Sequence, residues 1–261
     1  MAKGTRGGKR ITASIRAAAP KVTPTQVTPP TPQQVARGDI LPKGGVAFSD
    51  FENMTDDEKA DVITKALGVG TPIFLDDSDL QKFAYFTGMD GKPKVVSDSQ
   101  LDKIKGKSLY RTVDDAYNRQ TDVGYTSGDI IKQISQGDFT NYSDSGGSAH
   151  GKAIYFADNY MDSSYYGTPG KNPKTMRAKV TSGKSINEST LDTQYRNALR
   201  SGDKLALACS NADRGSARNL YALAKGYDMI DSGGSYKMIL NRRCLTVSST
   251  AKNTVIGGSK W

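Results

Sequence analysis

The pattern of the chain changes at Ser108, and that change limits the folds open to it. Before it, short helices are signalled by side chains that cap them. Thr55 with Glu58, Ser78 with Gln81 and Ser97 with Gln100 have the spacing of a capping box. Gly68, Gly88 and Gly106 follow at stop positions. After Ser108, short apolar runs alternate with glycine-rich or polar turns. Strands are predicted at 108–113, 153–157, 175–181 and 244–247, and 129–135 fits either a short helix or a strand. Residues 227–230 and 236–240 predict a hairpin about Gly233-Gly234. Two later helices are predicted. One is capped by Ser189, with Leu191, Tyr195 and Leu199 on one face, and stops at Gly202. The other spans about 214–225 and stops at Gly226. Helices first and mostly strands afterwards give an α+β class.

Residues 1–45 read as an extended arm. Pro20, Pro24, Pro29, Pro30 and Pro32 punctuate Thr, Gln and Val, leaving little to bury. Within residues 1–21, Lys3, Arg6, Lys9, Arg10, Arg16 and Lys21 carry six positive charges, and no acid comes before Asp39, which leaves +3 of the net +9 for residues 22–261. The basic character therefore belongs to a tail and not to a folded nucleic-acid-binding face. Such a tail is either solvated or a tether for an acidic surface, a neighbouring subunit or nucleic acid, contacted through residues 1–21. It lacks the interleaved aromatics that base stacking needs. Cys209 and Cys244 suggest no disulfide framework, and with the one histidine, His150, they cannot complete a four-ligand zinc site. No apolar run approaches the roughly 18 residues of a membrane span, and no apolar stretch follows the basic start as in a secretion signal.

Residues 151–166 carry the strongest chemical signal. A short apolar run, 153–157, follows a glycine-rich turn and leads into a polar segment. Ser163 and Tyr166 lie three residues apart and on a helix would share a face. A strand–helix corner of this kind sets Tyr155 and Tyr166 beside the hydroxyl of Ser163. A flat polar heterocycle such as nicotinamide needs that pairing. An ordinary buried strand with surface tyrosines accounts for the same letters.

The residues Gly151-Lys152-Ala153-Ile154-Tyr155-Phe156-Ala157-Asp158, followed by Ser163 and Tyr166, resemble the core motif of poly(ADP-ribose) polymerases. Upstream, Ser108-Leu109-Tyr110-Arg111-Thr112-Val113 is similar to the first catalytic strand of the Arg-Ser-Glu branch of ADP-ribosyltransferases. Downstream, 226–230 and 236–242 are similar to the closing hairpin of ADP-ribosyltransferase-like domains in bacteriophage head-associated proteins. The stretch 93–98 also has the look of that group. The resemblance covers about residues 93–248. It implies a split antiparallel sheet with flanking helices over 108–250, preceded by a helical segment (46–107) and the arm, and followed by a C-terminal tail (251–261).

It also implies NAD as substrate. Arg111 would fork onto phosphate or ribose oxygens. The backbone of Thr112, where relatives often have glycine, would clamp the nicotinamide amide. Ser163 would bond that amide, Tyr155 and Tyr166 would sandwich the ring, and Gly151 would let the loop approach closely. No metal is implied.

One departure matters. The family places a glutamate at the start of the closing strand, where it faces the positive charge that develops on the ribose as nicotinamide leaves. The match here falls at Ser235, Tyr236 or Lys237, and no glutamate follows Glu188. Asp231 is the substitute on the hairpin, with Arg111 and Ser163 as the other catalytic candidates. Two expectations follow. One is a phage-encoded mono-ADP-ribosyltransferase of a protein target, with its activity in question. The other is a non-catalytic virion structural protein of the same fold, a minor capsid or head-associated component with its arm docked on neighbouring subunits or nucleic acid. The expected location is the virion or the bacterial host cytoplasm.

Overall fold

The computed structural model describes residues 45–67, 92–118, 123–136, 153–212 and 217–256. The arm up to residue 44, the helix predicted from Ser78, His150 and Gly151 lie outside the described residues.

The described chain is a mixed α/β body built on an eight-stranded, mostly antiparallel sheet with flanking helices. Its strands are β1 (Lys94–Val96), β2 (Ser108–Val113), β5 (Ile154–Ala157), β6 (Lys174–Val180), β7 (Ser185–Asn187), β8 (Met229–Asp231), β9 (Tyr236–Ile239) and β10 (Leu245–Asn253). They lie in the order β1-β10-β6-β2-β5-β9-β8-β7. β3 (Ala116–Asn118) and β4 (Val123–Tyr125) form a separate antiparallel pair. The edge pairs β1/β10 and β7/β8 are parallel, and the interior pairs are antiparallel.

At the middle of the sheet β2 and β5 share one registered pair, Tyr110 with Ala157. On either side the ladders are longer: β2 runs with β6 over six pairs and β5 with β9 over four. The sheet is thus two four-stranded halves that meet at one rung.

Each face of the sheet carries its own core. On one, α1 (Phe48–Asn53), α2 (Asp56–Leu67), α6 (Glu188–Ser201), α7 (Lys204–Ala212) and α8 (Ala217–Ala224) bury Phe51, Ile63, Leu191, Leu205 and Tyr221 with Ile230 and Met238 of the sheet. On the other, α4 (Ser127–Gln136) packs Ile130 and Ile134 with Leu109, Phe156, Met176 and Leu245. Each such side chain contributes about 1.5–3 kcal/mol by leaving water.

The alternation along β9 sorts these faces, with Met238 in the first core and Ile239 in the second. α3 (Asp98–Lys103) opens on the predicted Ser97–Gln100 capping box, and α2 on that of Thr55 and Glu58. α6 ends at Gly202, which takes a left-handed φ of 75°.

Several expectations shift. From the stretch 46–107, α1 and α2 enter the first core, and β1 joins the sheet beside β10. β10 continues three residues beyond the expected boundary at 250, through a register shift between Val247 and Ala251. The cap of α6 is Asn187, whose side chain accepts from the Ser189 N–H, and not Ser189 itself. The segment 129–135 is helical.

Candidate functional site

Arg111 leaves β2 where the two half-sheets meet. Its Nη1 donates to the Tyr155 carbonyl at 2.9 Å, and its Nε is enclosed with no partner. Burial pushes the guanidinium down to about 10, while the hydroxyls of Tyr155 and Tyr166 lie close enough to favour its charge. It therefore stays a cation at neutral pH. Among the described residues no carboxylate pairs with it. An enclosed cation of this kind costs several kcal/mol unless an anion arrives. Tyr166 is 72% exposed and Tyr155 half-buried, so the group opens to solvent on the Tyr166 side.

Ser163 sits on α5 (Tyr160–Ser164) but does not face outward with Tyr166. The helix ends before Tyr166, whose N–H donates to the Ser163 carbonyl. Ser163 is 1% exposed. Its hydroxyl lies 2.9 Å from Thr112 Oγ1, which lies 2.7 Å from Thr175 Oγ1, itself 2.7 Å from Thr254 Oγ1. Four hydroxyls thus form a buried chain linking α5, β2, β6 and the segment after β10. The shared helix face expected for Ser163 and Tyr166 is not formed, because the helix stops two residues short of Tyr166.

Asp231 closes β8. It accepts from Lys237 Nζ at 2.5 Å and from the Gly233 N–H at 3.0 Å. Burial works to raise its pKa, but these two donors and the charges of Lys237 and Lys107 outweigh it and hold it below the usual carboxylate range. Lys237 also lies 4.0 Å from Asp158, which Lys107 approaches at 3.4 Å. Lys237 points to the opposite side of β9 from Tyr236, as successive strand residues do. Its charge is spread over two aspartates.

The residues that sequence reasoning missed lie on the Tyr236 side. The Tyr155 and Tyr236 rings stand 5.8 Å apart at 51°, a tilted aromatic pair. Tyr236 Oη donates to Glu188 Oε2 at 3.4 Å. Burial first, and the Glu188 charge second, raise the Tyr236 pKa, and the Tyr166 hydroxyl lies close enough to add to the shift. Glu188 Oε1 pairs with Arg218 Nη1 at 3.0 Å, and Asp192 takes the same nitrogen at 2.8 Å. Arg111, Tyr155, Tyr166, Tyr236 and Glu188 therefore form one continuous polar and aromatic group. The available signal was a glutamate at a strand-to-helix corner facing a tyrosine at the start of the closing strand. That pairing is tertiary and leaves no mark in spacing.

A cavity of about 420 Å³ lies elsewhere, between α4, β1 and β10, lined by Val95, Ile131, Lys132, Lys174 and Ala251 among others. It contains none of the residues above. Cys209 and Cys244 are free and buried, and burial pushes the Cys244 thiol up to about 12 and the Cys209 thiol up as well, so neither is poised as a nucleophile. Among the described residues no group of three or more His, Cys, Asp or Glu could hold a metal ion, and no helix is long and apolar enough to cross a membrane. Compared with known proteins, the chain matches no family model, no curated protein and no solved structure.

Proposed function

We propose that the chain binds NAD where the half-sheets meet and acts as a mono-ADP-ribosyltransferase on a protein target, with an ADP-ribosyltransferase-like fold. The observation that carries this reading is the enclosed Arg111 guanidinium, which has no carboxylate partner among the described residues and bonds the carbonyl of Tyr155, whose ring pairs with that of Tyr236. A pyrophosphate or ribose oxygen would satisfy the cation, and a nicotinamide ring would stack on a tyrosine. The resemblance of 93–248 to that family supports the same ligand.

The test is calorimetric titration of NAD into the full chain and into Arg111→Ala. Loss of a charge-assisted contact weakens binding about tenfold to a hundredfold. Equal affinity in both proteins, or no binding to the parent, would count against the reading.

A second reading is a non-catalytic virion protein of the same fold, minor capsid or head-associated, with the basic arm on neighbouring subunits or nucleic acid. It is favoured by Ser163, whose hydroxyl is held inside the threonine chain, and by the lack of an acid at Ser235, Tyr236 and Lys237, where the resemblance places the family's glutamate. Labelled NAD incubated with host lysate separates the two. Label appearing on a protein supports the transferase, and an unlabelled lysate with the chain bound in assembled particles supports the structural role.

A further inference from the structure

Resting on the NAD reading, we infer that Glu188, held by Tyr236 and Arg218, supplies the negative charge that the closing strand itself lacks. The argument begins with what the reaction demands. The bond between ribose C1′ and the nicotinamide nitrogen breaks, and its electron pair goes to that nitrogen, so the pyridinium leaves as neutral nicotinamide. Positive charge stays on the sugar until a lone pair of the acceptor, or of water, forms the new bond at C1′. The acceptor's proton passes to solvent. No acid is needed at the leaving group, but a fixed carboxylate near the sugar lowers the barrier.

The carboxylates of the hairpin and its neighbours divide clearly. Asp228 is taken by the Lys184 N–H at 2.8 Å and by Asn241 Nδ2 at 2.7 Å. Asp231 and Asp158 face two lysines, Lys107 and Lys237, so that cluster has no net charge. Glu188 and Asp192 both pair with the guanidinium of Arg218, and no lysine–aspartate clamp like that on Asp231 is seen at Glu188 among the contacts described. The Glu188 side chain keeps 18% of its surface open. Tyr236, at the start of the closing strand, turns its hydroxyl to Glu188 and its ring to Tyr155. Arg111 bonds the Tyr155 carbonyl and the Tyr155 ring stands against Tyr236, so the carboxylate and the enclosed cation are joined through two tyrosines. Glu188 thus reaches from a neighbouring element the end of β9 at which the family carries its glutamate.

The experiment measures NAD affinity by calorimetry and nicotinamide release by chromatography on the full chain. The variants are Glu188→Gln, Tyr236→Phe and Asp231→Asn, each with a melting curve. Glu188→Gln is expected to bind NAD within about twofold of the parent and to release nicotinamide about 10²–10³-fold more slowly. As Tyr236 positions the carboxylate, Tyr236→Phe lowers kcat more than it raises KM. Undiminished release by Glu188→Gln overturns the inference. So does release that collapses in Asp231→Asn but not in Glu188→Gln. A parent that binds NAD but releases no nicotinamide overturns it while leaving the binding reading intact. A parent that does not bind NAD removes both.

Discussion

The two buried polar features of the site, Arg111 and the hydroxyl chain, predict opposite responses to truncation. Thr112 stands at the centre of the chain with a hydroxyl neighbour on each side. Thr112→Val leaves Ser163 and Thr175 each short of a partner in a dry setting, and is expected to destabilise the fold by about 1–3 kcal/mol in urea titration. Arg111→Met removes an enclosed cation together with one bond to the Tyr155 carbonyl, so it is expected to leave the melting temperature of the unliganded protein unchanged or raised. A melting temperature lowered by several degrees would mean that Arg111 is there for the fold. At this scale the sequence was informative about residue type and silent about direction. Arg111 does reach Tyr155, through the backbone carbonyl. Ser163 turns inward, because its orientation depends on where α5 stops.

Elements were legible wherever a local signal marks them. The capping boxes at Thr55 and Ser97, the strand at Ser108–Val113 and the left-handed glycines at 202 and 226 all stand where local chemistry predicts. α7 was not predicted. Its buried Leu205, Ala208, Cys209 and Ala212 do keep the i, i+3, i+4, i+7 spacing of one helix face, but small alanines make up half of that stripe and the exposed Leu207 interrupts the contrast with the other face. α1 lay unmarked for another reason, since the side chain of its N-cap, Ala47, makes no capping bond.

α3 offers an element-scale test. Asp98 at its start accepts from Arg177 Nη2 at 3.0 Å and from the Ser248 and Thr250 hydroxyls at 2.7 and 3.0 Å, tying the helix to β6 and β10. Burial raises the Asp98 pKa, but these bonds outweigh it and the net shift is downward. A carboxylate with a lowered folded-state pKa contributes stability above its unfolded value of about 4, and that stability is lost as the pH falls through the lower folded value. Urea midpoints measured from pH 7 to pH 2 are expected to fall over the acid end, and the fall to be shallower in Asp98→Asn. An equally steep fall in both proteins would remove Asp98 from the account.

For the whole molecule, the order of elements predicted an α+β chain, and a mostly antiparallel sheet with flanking helices is what forms. The strand order was not legible, because β1 and β7 enter by parallel pairing from distant parts of the chain and no local pattern records a crossover. The consequence lies in the one rung between β2 and β5. With a single registered pair, Tyr110 to Ala157, the two halves meet like pages at a spine, held there mainly by the second core, which runs across the seam from Leu109 to Phe156. Arg111 stands one residue along from that rung and already grips the Tyr155 carbonyl on the opposite page. A ligand seated on Arg111 and Tyr155 together would act as a clasp. Amide hydrogen exchange should then slow on β2 and on β5 in the same step when NAD is added, and slowing confined to one page would mean that the ligand touches only that half.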